Sequence, residues 1–205
     1  YGDHRDLHLS IRRQRQMCIR DRSGIPEIAE RILIERDLTL LEKVKCRYHI
    51  SQLSSQKSVE VIKSRKEIVK FTCGVSVNNL SLNENDIGDF KTFLKLSPPL
   101  RREEDRLALV QGLKDDLIDV IVSDHKPEDE ESKRLTFAQA ATGATGVETL
   151  LPLALELFHN KSIKFNKLIA TLTVINILNA TSMRLNSKES PISLIHFFLI
   201  NVAAS

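Results

Sequence analysis

The sequence predicts an α/β fold built on a parallel sheet with helices packed outside it. Three observations carry that reading. Apolar, β-branched runs alternate with stretches of helical periodicity along the chain. The runs are near-continuously apolar, as strands covered on both faces are. Loops holding Gly, Pro, Asn and Asp separate the two kinds of segment. Both an α/β sandwich and an α/β barrel fit this alternation, and the roughly three visible strands are too few to close an eight-stranded barrel.

Regular structure is expected from Ser23, a candidate N-cap followed by Pro26 and Glu27 in the first turn. Ile28, Ile32, Leu33, Leu40 and Leu41 recur at helical spacing up to Lys43. Arg47 to Leu53 (RYHISQL) alternates and reads as a strand. A helix follows from Gln56 to Arg65, then a second strand over Glu67 to Val77 (EIVKFTCGVSV). Residues 78–100 read as a long loop closing on Ser97-Pro98-Pro99, where two successive prolines preclude helix. A helix over Arg101 to Lys114 leads to the strongest strand, Leu117 to Ser123 (LIDVIVS), which ends in Asp124-His125-Lys126-Pro127. A charged loop, Glu128 to Arg134, and a segment punctuated by Gly143 and Gly146 come next. Two further helices are predicted over Val147–Asn160 and Phe165–Leu178. There is no internal repeat or low-complexity tract.

Composition agrees with a packed protein. The 205 residues are 41% hydrophobic and 28% charged, too apolar for a disordered chain. The net charge of +3 is uneven, because residues 1–22 hold six Arg against three Asp and the remainder sums to zero. That arm has few apolar anchors and reads as solvated or disordered. Its string RRQRQMCIRDR also resembles a translated sequencing-adapter sequence. A nucleic-acid-binding arm has little support, since there is no aromatic interleaving beyond Tyr1. Cys18, Cys46 and Cys73 form neither a CxxC pair nor a disulfide framework, so a reducing, cytoplasmic setting is the default. The longest apolar stretch, Ile192 to Ala204, is interrupted by His196 and Asn201. It is shorter than the roughly 20 residues of a membrane span, and the N-terminus lacks the apolar core of a signal peptide.

In parallel α/β folds ligands bind at the carboxyl ends of strands. Asp124, with His125, is therefore the best-placed candidate for chemistry. A carboxylate there serves as metal ligand or general base, and a plain N-cap or loop role is the alternative. His49, inside the first strand, reads as a packed side chain rather than a ligand, and Cys46 and Cys73 as structural. His4 and His8 have i,i+4 spacing without the zincin pattern, and His159 and His196 stand alone. No P-loop, GxGxxG or GxSxG motif is present.

A family resemblance runs through these segments. SPPLRREEDRLALVQGLKDDLIDVIVSDHKP resembles the bacterial dihydroorotase stretch in which an NPPLR-type loop and a helix precede a final barrel strand ending in DHAP. TGATGVETLLPLAL resembles the family's next motif, here Gly143 to Pro152. GIPEIAERILIERDLTLLE is similar to the helix after strand five, RYHISQLSSQKSVEVIKSRK to strand six and its helix, and FTCGVSVNNLSL to strand seven. The match runs from Ser23 to Leu185, and the wording VSVNNLSLNENDIGDF with RLTFAQA is most like the alphaproteobacterial branch.

The resemblance implies a partial (β/α)8 TIM barrel of the amidohydrolase type, roughly strands 6 to 8 with their helices. It implies three segments: a disordered or foreign lead (1–22), the C-terminal part of a barrel (23–185) and a truncated tail (186–205). The implied function is a zinc-dependent cyclic amidohydrolase of pyrimidine biosynthesis, interconverting N-carbamoyl-aspartate and dihydroorotate. Asp124 takes the position of the catalytic, metal-binding Asp after strand eight, and Ser97 and Gly143 fall at substrate-contacting positions.

Departures from the family pattern are as informative. The His-x-His of strand one and the ligands of strands four and five are absent from the chain. Gln52 stands where the family has a metal-binding His, Val77-Asn78-Asn79 stands for its Pro-His-His, Ser97 for its Asn, and Glu128 for the second His of DHAPH. The expectation is therefore a chain that is inactive alone and binds zinc without tight affinity. The alternative reading is a non-catalytic dihydroorotase-like subunit supporting aspartate carbamoyltransferase. Poor solubility or self-association is expected from an incomplete barrel; the candidate partners are a second copy or aspartate carbamoyltransferase, and neither nucleic acid nor membrane is expected.

Overall fold

In the computed structural model, residues 25–44 and 46–173 are described. Ser23, His4, His8, Cys18, His196, the lead over 1–22 and the tail over 186–205 lie outside them.

The centre is a three-stranded parallel sheet. It is formed by β1 (His49–Leu53), β2 (Thr72–Ser76) and β3 (Val120–Val122), adjacent in chain order. His49 pairs with Thr72 and Ile50 with Cys73, and the register then slips before Leu53 meets Val75. Gly74, Val75 and Ser76 pair with Val120, Ile121 and Val122. Parallel strands need crossover connections, and helices supply them. Helix α1 (Glu27–Lys43) precedes β1, α2 (Gln56–Arg65) joins β1 to β2, and α3 (Val77–Ser81) and α4 (Glu103–Lys114) join β2 to β3. After β3 come α5 (Glu130–Arg134), α6 (Val147–His159) and α7 (Phe165–Leu172).

The core lies between the sheet and the helices. Leu53, Cys73 and Val75 from the strands are fully buried against Leu38 of α1, Ile62 of α2, Leu113 of α4 and Leu168 of α7. Each such aliphatic contributes about 1.5–3 kcal/mol relative to exposure, so this layer is the main source of stability. The helices are fastened at their starts. Ser55 caps α2 by accepting from the Ser58 N–H, and the buried Asp105 of α4 accepts from the Gln56 N–H at 2.7 Å. The first-turn donors of α2 thus meet both a hydroxyl and a carboxylate.

Several elements are shorter than their apolar patterns suggest. The strand expected over Glu67–Val77 begins only at Thr72, because the Ile68 and Val69 N–H groups turn back to the Arg65 carbonyl. It ends at Ser76, whose hydroxyl accepts from the Asn78 N–H and starts α3 inside the expected loop. Two 3₁₀ turns, Glu84–Ile87 and Thr92–Leu94, further structure that loop. Leu117 and Ile118 are apolar yet precede β3, because their N–H groups bond to the Gly112 carbonyl. Lys66 Nζ holds the same turn by donating to the carbonyls of Asp116 and Leu117 and pairing with Asp119. The charged loop contains α5, capped by Asp129 through the Ser132 N–H. Helix α1 has Pro26 at its N-cap and starts without side-chain capping. Helix α7 stops at Leu172, and the expected continuation to Leu178 reaches residues outside those described.

Candidate functional site

Asp124 follows β3 at the carboxyl end of the sheet, with its backbone in the left-handed region at φ 51°. Its Oδ1 accepts a hydrogen bond of 2.8 Å from Nε2 of Gln52. Gln52 sits where the β1–β2 register slips, and its side chain reaches past β2 to the turn after β3. Burial pushes the Asp124 carboxyl above the ordinary aspartate range, against the opposing pull of the Gln52 hydrogen bond and the Lys126 charge. A half-buried carboxylate of raised basicity is suited to taking up and releasing a proton.

Two loops pack around this strand end. Gly143 donates its N–H to the Lys95 carbonyl at 2.9 Å, and Lys126 donates its own to the Ala144 carbonyl at 2.9 Å. The loop carrying Ser97, the segment carrying Gly143 and the turn carrying Asp124 are therefore tied together. Gly143 has φ 147°, and a Cβ there would stand 2.5 Å from the Lys126 carbonyl oxygen. Only a glycine allows the backbones to approach so closely. Ser97 is exposed.

The Ser97–Arg101 loop is held at two further points. Nδ2 of buried Asn79 donates to the Pro99 carbonyl at 3.2 Å. Arg101 donates from Nε to Ser54 Oγ at 2.7 Å, from Nη1 to the Ile25 carbonyl at 3.2 Å, and from Nη2 to Glu30 at 3.5 Å. Glu30 in turn accepts from the Ser54 N–H at 3.0 Å and from the Ser54 hydroxyl. Arg101 lay within a legible motif, but nothing in the sequence pointed to Glu30, a helical residue 71 positions earlier. Its apolar neighbours at helical spacing marked α1 without marking its inward carboxylate.

His49 does not join Asp124. It pairs with Thr72, whereas Val122 pairs with Ser76 four residues further along, a rise of about 13 Å at 3.3 Å per residue. Its Nδ1 is 2.7 Å from the Thr72 hydroxyl. Desolvation by the surrounding strands holds its pKa below the usual histidine value, against the pull of Asp119. Cys73 is buried, donates its thiol to the Leu117 carbonyl at 3.0 Å, and is pushed up to about 12, chiefly by burial. Cys73 is a packed side chain, whereas His49 is exposed and held by its hydrogen bond to Thr72 rather than packed as the sequence suggests. Cys46 is exposed, and His159 bonds to the Leu155 carbonyl of its own helix.

Among the described residues no three of His, Cys, Asp and Glu come close enough to hold a metal ion. At the strand end the partner of Asp124 is the N–H side of an amide, which presents no lone pair to a cation. The described residues do not by themselves fit a zinc site, which takes three or four His, Cys or carboxylate ligands. No helix among them is long and apolar enough to cross a membrane.

Comparison with known proteins places this geometry. No family model matches the chain. It is 45% identical over 152 residues to the dihydroorotase of Ehrlichia canis and 40% identical over 152 residues to that of Wolbachia from Brugia malayi. It is 44% identical over 131 residues to that of Listeria innocua. The first two alignments cover 73% of this chain and 34% of the relative, so the chain spans about a third of the length of the curated relatives it matches. Among solved structures, L-hydantoinase (dihydropyrimidinase) from Arthrobacter aurescens superposes with a TM-score of 0.70 at 26% identity, covering 79% of this chain and 37% of that one. Dihydropyrimidinase from Brevibacillus agri superposes with a TM-score of 0.68 at 21% identity, covering 74% of this chain and 35% of that one. The sheet and its helices are thus a sector of an amidohydrolase (β/α)8 barrel, the fold the family resemblance implies.

Proposed function

This chain belongs with the bacterial dihydroorotases, sharing about a third of their length, and on that premise we propose that it is the strand 6 to 8 sector of a cyclic amidohydrolase of pyrimidine biosynthesis. The reaction is the interconversion of dihydroorotate and N-carbamoyl-aspartate. Hydrolysis adds water across the ring amide: the water oxygen bonds to the carbonyl carbon, the C–N bond breaks, and the nitrogen gains a proton. Asp124 is the residue assigned to the proton. Its carboxylate accepts one from the attacking water and returns it to the leaving nitrogen. The observation that carries this assignment is a half-buried carboxylate of raised pKa at the carboxyl end of a parallel strand. Ser97 and Gly143, on loops tied to the same turn, are assigned to substrate contact.

The family reaction relies on zinc, which activates water when bound. The described residues do not complete such a site. We assign no turnover and no tight zinc binding to the 205-residue chain alone. The Gln52–Asp124 hydrogen bond favours a second reading, a non-catalytic dihydroorotase-like subunit supporting aspartate carbamoyltransferase. There the amide occupies a carboxylate lone pair that a metal would otherwise take. Calorimetric titrations of the purified chain with zinc and with aspartate carbamoyltransferase, run beside a dihydroorotate hydrolysis assay, test both. Stoichiometric zinc lost on Asp124→Ala overturns the assignment of an incomplete site. Binding to aspartate carbamoyltransferase without turnover selects the second reading.

A further inference from the structure

Asp124 has the left-handed backbone that non-glycine residues rarely adopt, at φ 51°. Such a conformation persists only where surrounding structure over-determines it. The next residue supplies a contact suited to that task. Nδ1 of His125 accepts hydrogen bonds from the backbone N–H of Gly146 at 3.0 Å and of Val147 at 3.3 Å. These groups open the 13-residue helix α6, and Gly146, at its N-cap, brings no side-chain acceptor. The imidazole nitrogen takes the place that a Ser or Asp oxygen fills in an ordinary cap.

The backbone is shaped for this contact. A Cβ on Gly146 would stand 2.1 Å from the Ser123 carbonyl oxygen, so only glycine lets the start of α6 lie on the turn after β3. The Lys126 N–H to Ala144 carbonyl bond, within the bridge that pairs His125 with Ala144, fastens the other side of the turn. Asp124 is thus the residue between a strand end and a clamp.

We infer that His125 is a positioning residue: through its Nδ1 cap on helix α6 it holds the Asp124 backbone left-handed and so directs the carboxylate to Gln52. Its interest for catalysis rests on the reading that Asp124 is the reacting carboxylate, but the geometric claim stands without that reading. Accepting at Nδ1 requires a neutral ring with its proton on Nε2.

The test is heteronuclear NMR on the isotopically labelled full chain, above the histidine titration range. The expected ring tautomer of His125 carries its proton on Nε2, and a proton on Nδ1 overturns the proposal. Asp124 is expected to show the strong intraresidue HN–Hα cross-peak of a left-handed residue. His125→Asn, whose Oδ1 stands where Nδ1 stood, is expected to keep that cross-peak, and His125→Leu to lose it while the signals of β1 and β2 stay in place. Retention in the leucine variant, or loss in the asparagine variant, overturns the proposal. If the leucine variant does not fold, the wild-type tautomer and the asparagine variant still decide. These readouts use neither substrate nor metal. No turnover is expected of the chain alone, so loss of these signals overturns the clamp and leaves the functional reading untouched.

Discussion

The amide of Gln52 reaches across the middle strand to donate a hydrogen bond to Asp124 at 2.8 Å, joining the ends of β1 and β3. That contact places an uncharged donor against the carboxylate of the candidate centre. It sets both the electrostatics of the site and its relation to metal.

Asp124 is a liability to stability when ionised. Its folded pKa lies above the ordinary aspartate value because of burial. Its protonated form therefore stabilises the fold fully below the unfolded pKa, and that contribution is lost as pH rises through the folded value. Asp124→Asn keeps an acceptor for Gln52 and tolerates a left-handed backbone. It is expected to raise the melting temperature near neutral pH and to change little at about pH 3. Because the group is part-exposed, the gain is discounted to below roughly 1 kcal/mol, or up to about 3 °C. Thermal unfolding at the two pH values reads this, and a lower melting temperature at neutral pH counts against it.

Arg101 is the structural anchor of the Ser97 loop. Its guanidinium and the Glu30 carboxylate are both largely shielded, with side-chain exposures of 11% and 13%. Arg101→Ala leaves Glu30 as a shielded charge without its cation and frees one end of the loop. A loss of about 3 kcal/mol is expected, read from urea unfolding midpoints. Arg101→Lys is expected to recover less than half, since an ammonium cannot serve Ser54, Ile25 and Glu30 from one rigid fork. Full recovery by lysine would show that charge alone matters there.

The two described cysteines are expected to separate cleanly in reactivity. Cys46 is exposed, whereas Cys73 is buried with a thiol pushed up to about 12. Alkylation of the folded chain at neutral pH, resolved by peptide mass spectrometry, is expected to label Cys46 promptly and Cys73 only after denaturation. Labelling of Cys73 at a comparable rate would mean that the sheet opens on the timescale of the reaction.

The β-α order was legible because it rests on local signals: apolar runs for the strands, 3.6-residue spacing for α1, and paired prolines for the loop. The ends of β2 and β3 were not. Ile68, Val69, Leu117 and Ile118 are as apolar as any strand residue, yet their N–H groups bond to Arg65 and Gly112. An apolar pattern reports burial and is silent on which carbonyl an amide meets. Asp124 was legible as a position, since it follows the most apolar strand. Its left-handed backbone, the His125 cap and the Glu30–Arg101 clamp were not, because each is made by residues distant in sequence. Gly143 and Gly146 were visible only as punctuation, and the close approaches they allow to Lys126 and Ser123 were not.

Gln52 is the residue whose replacement is most informative about metal. Its Nε2 stands 2.8 Å from Asp124 Oδ1. Two donors on one tetrahedral zinc, each at roughly 2.1 Å, lie about 3.4 Å apart. The two side chains are therefore close to a ligand separation, and at this pair what fails is the chemistry of the amide. Gln52→His supplies an imidazole from the same strand end with little backbone change. The wild-type chain is expected to show no saturable zinc uptake by calorimetry. Gln52→His is expected to show weak, saturable uptake that falls as pH drops through the histidine range, because protonated imidazole does not bind metal. Adding Asp124→Ala to that variant is expected to abolish the uptake. If Gln52→His binds no better than wild type, the amide is not what prevents a site. The cause then lies in ligands that the described part of the barrel does not supply.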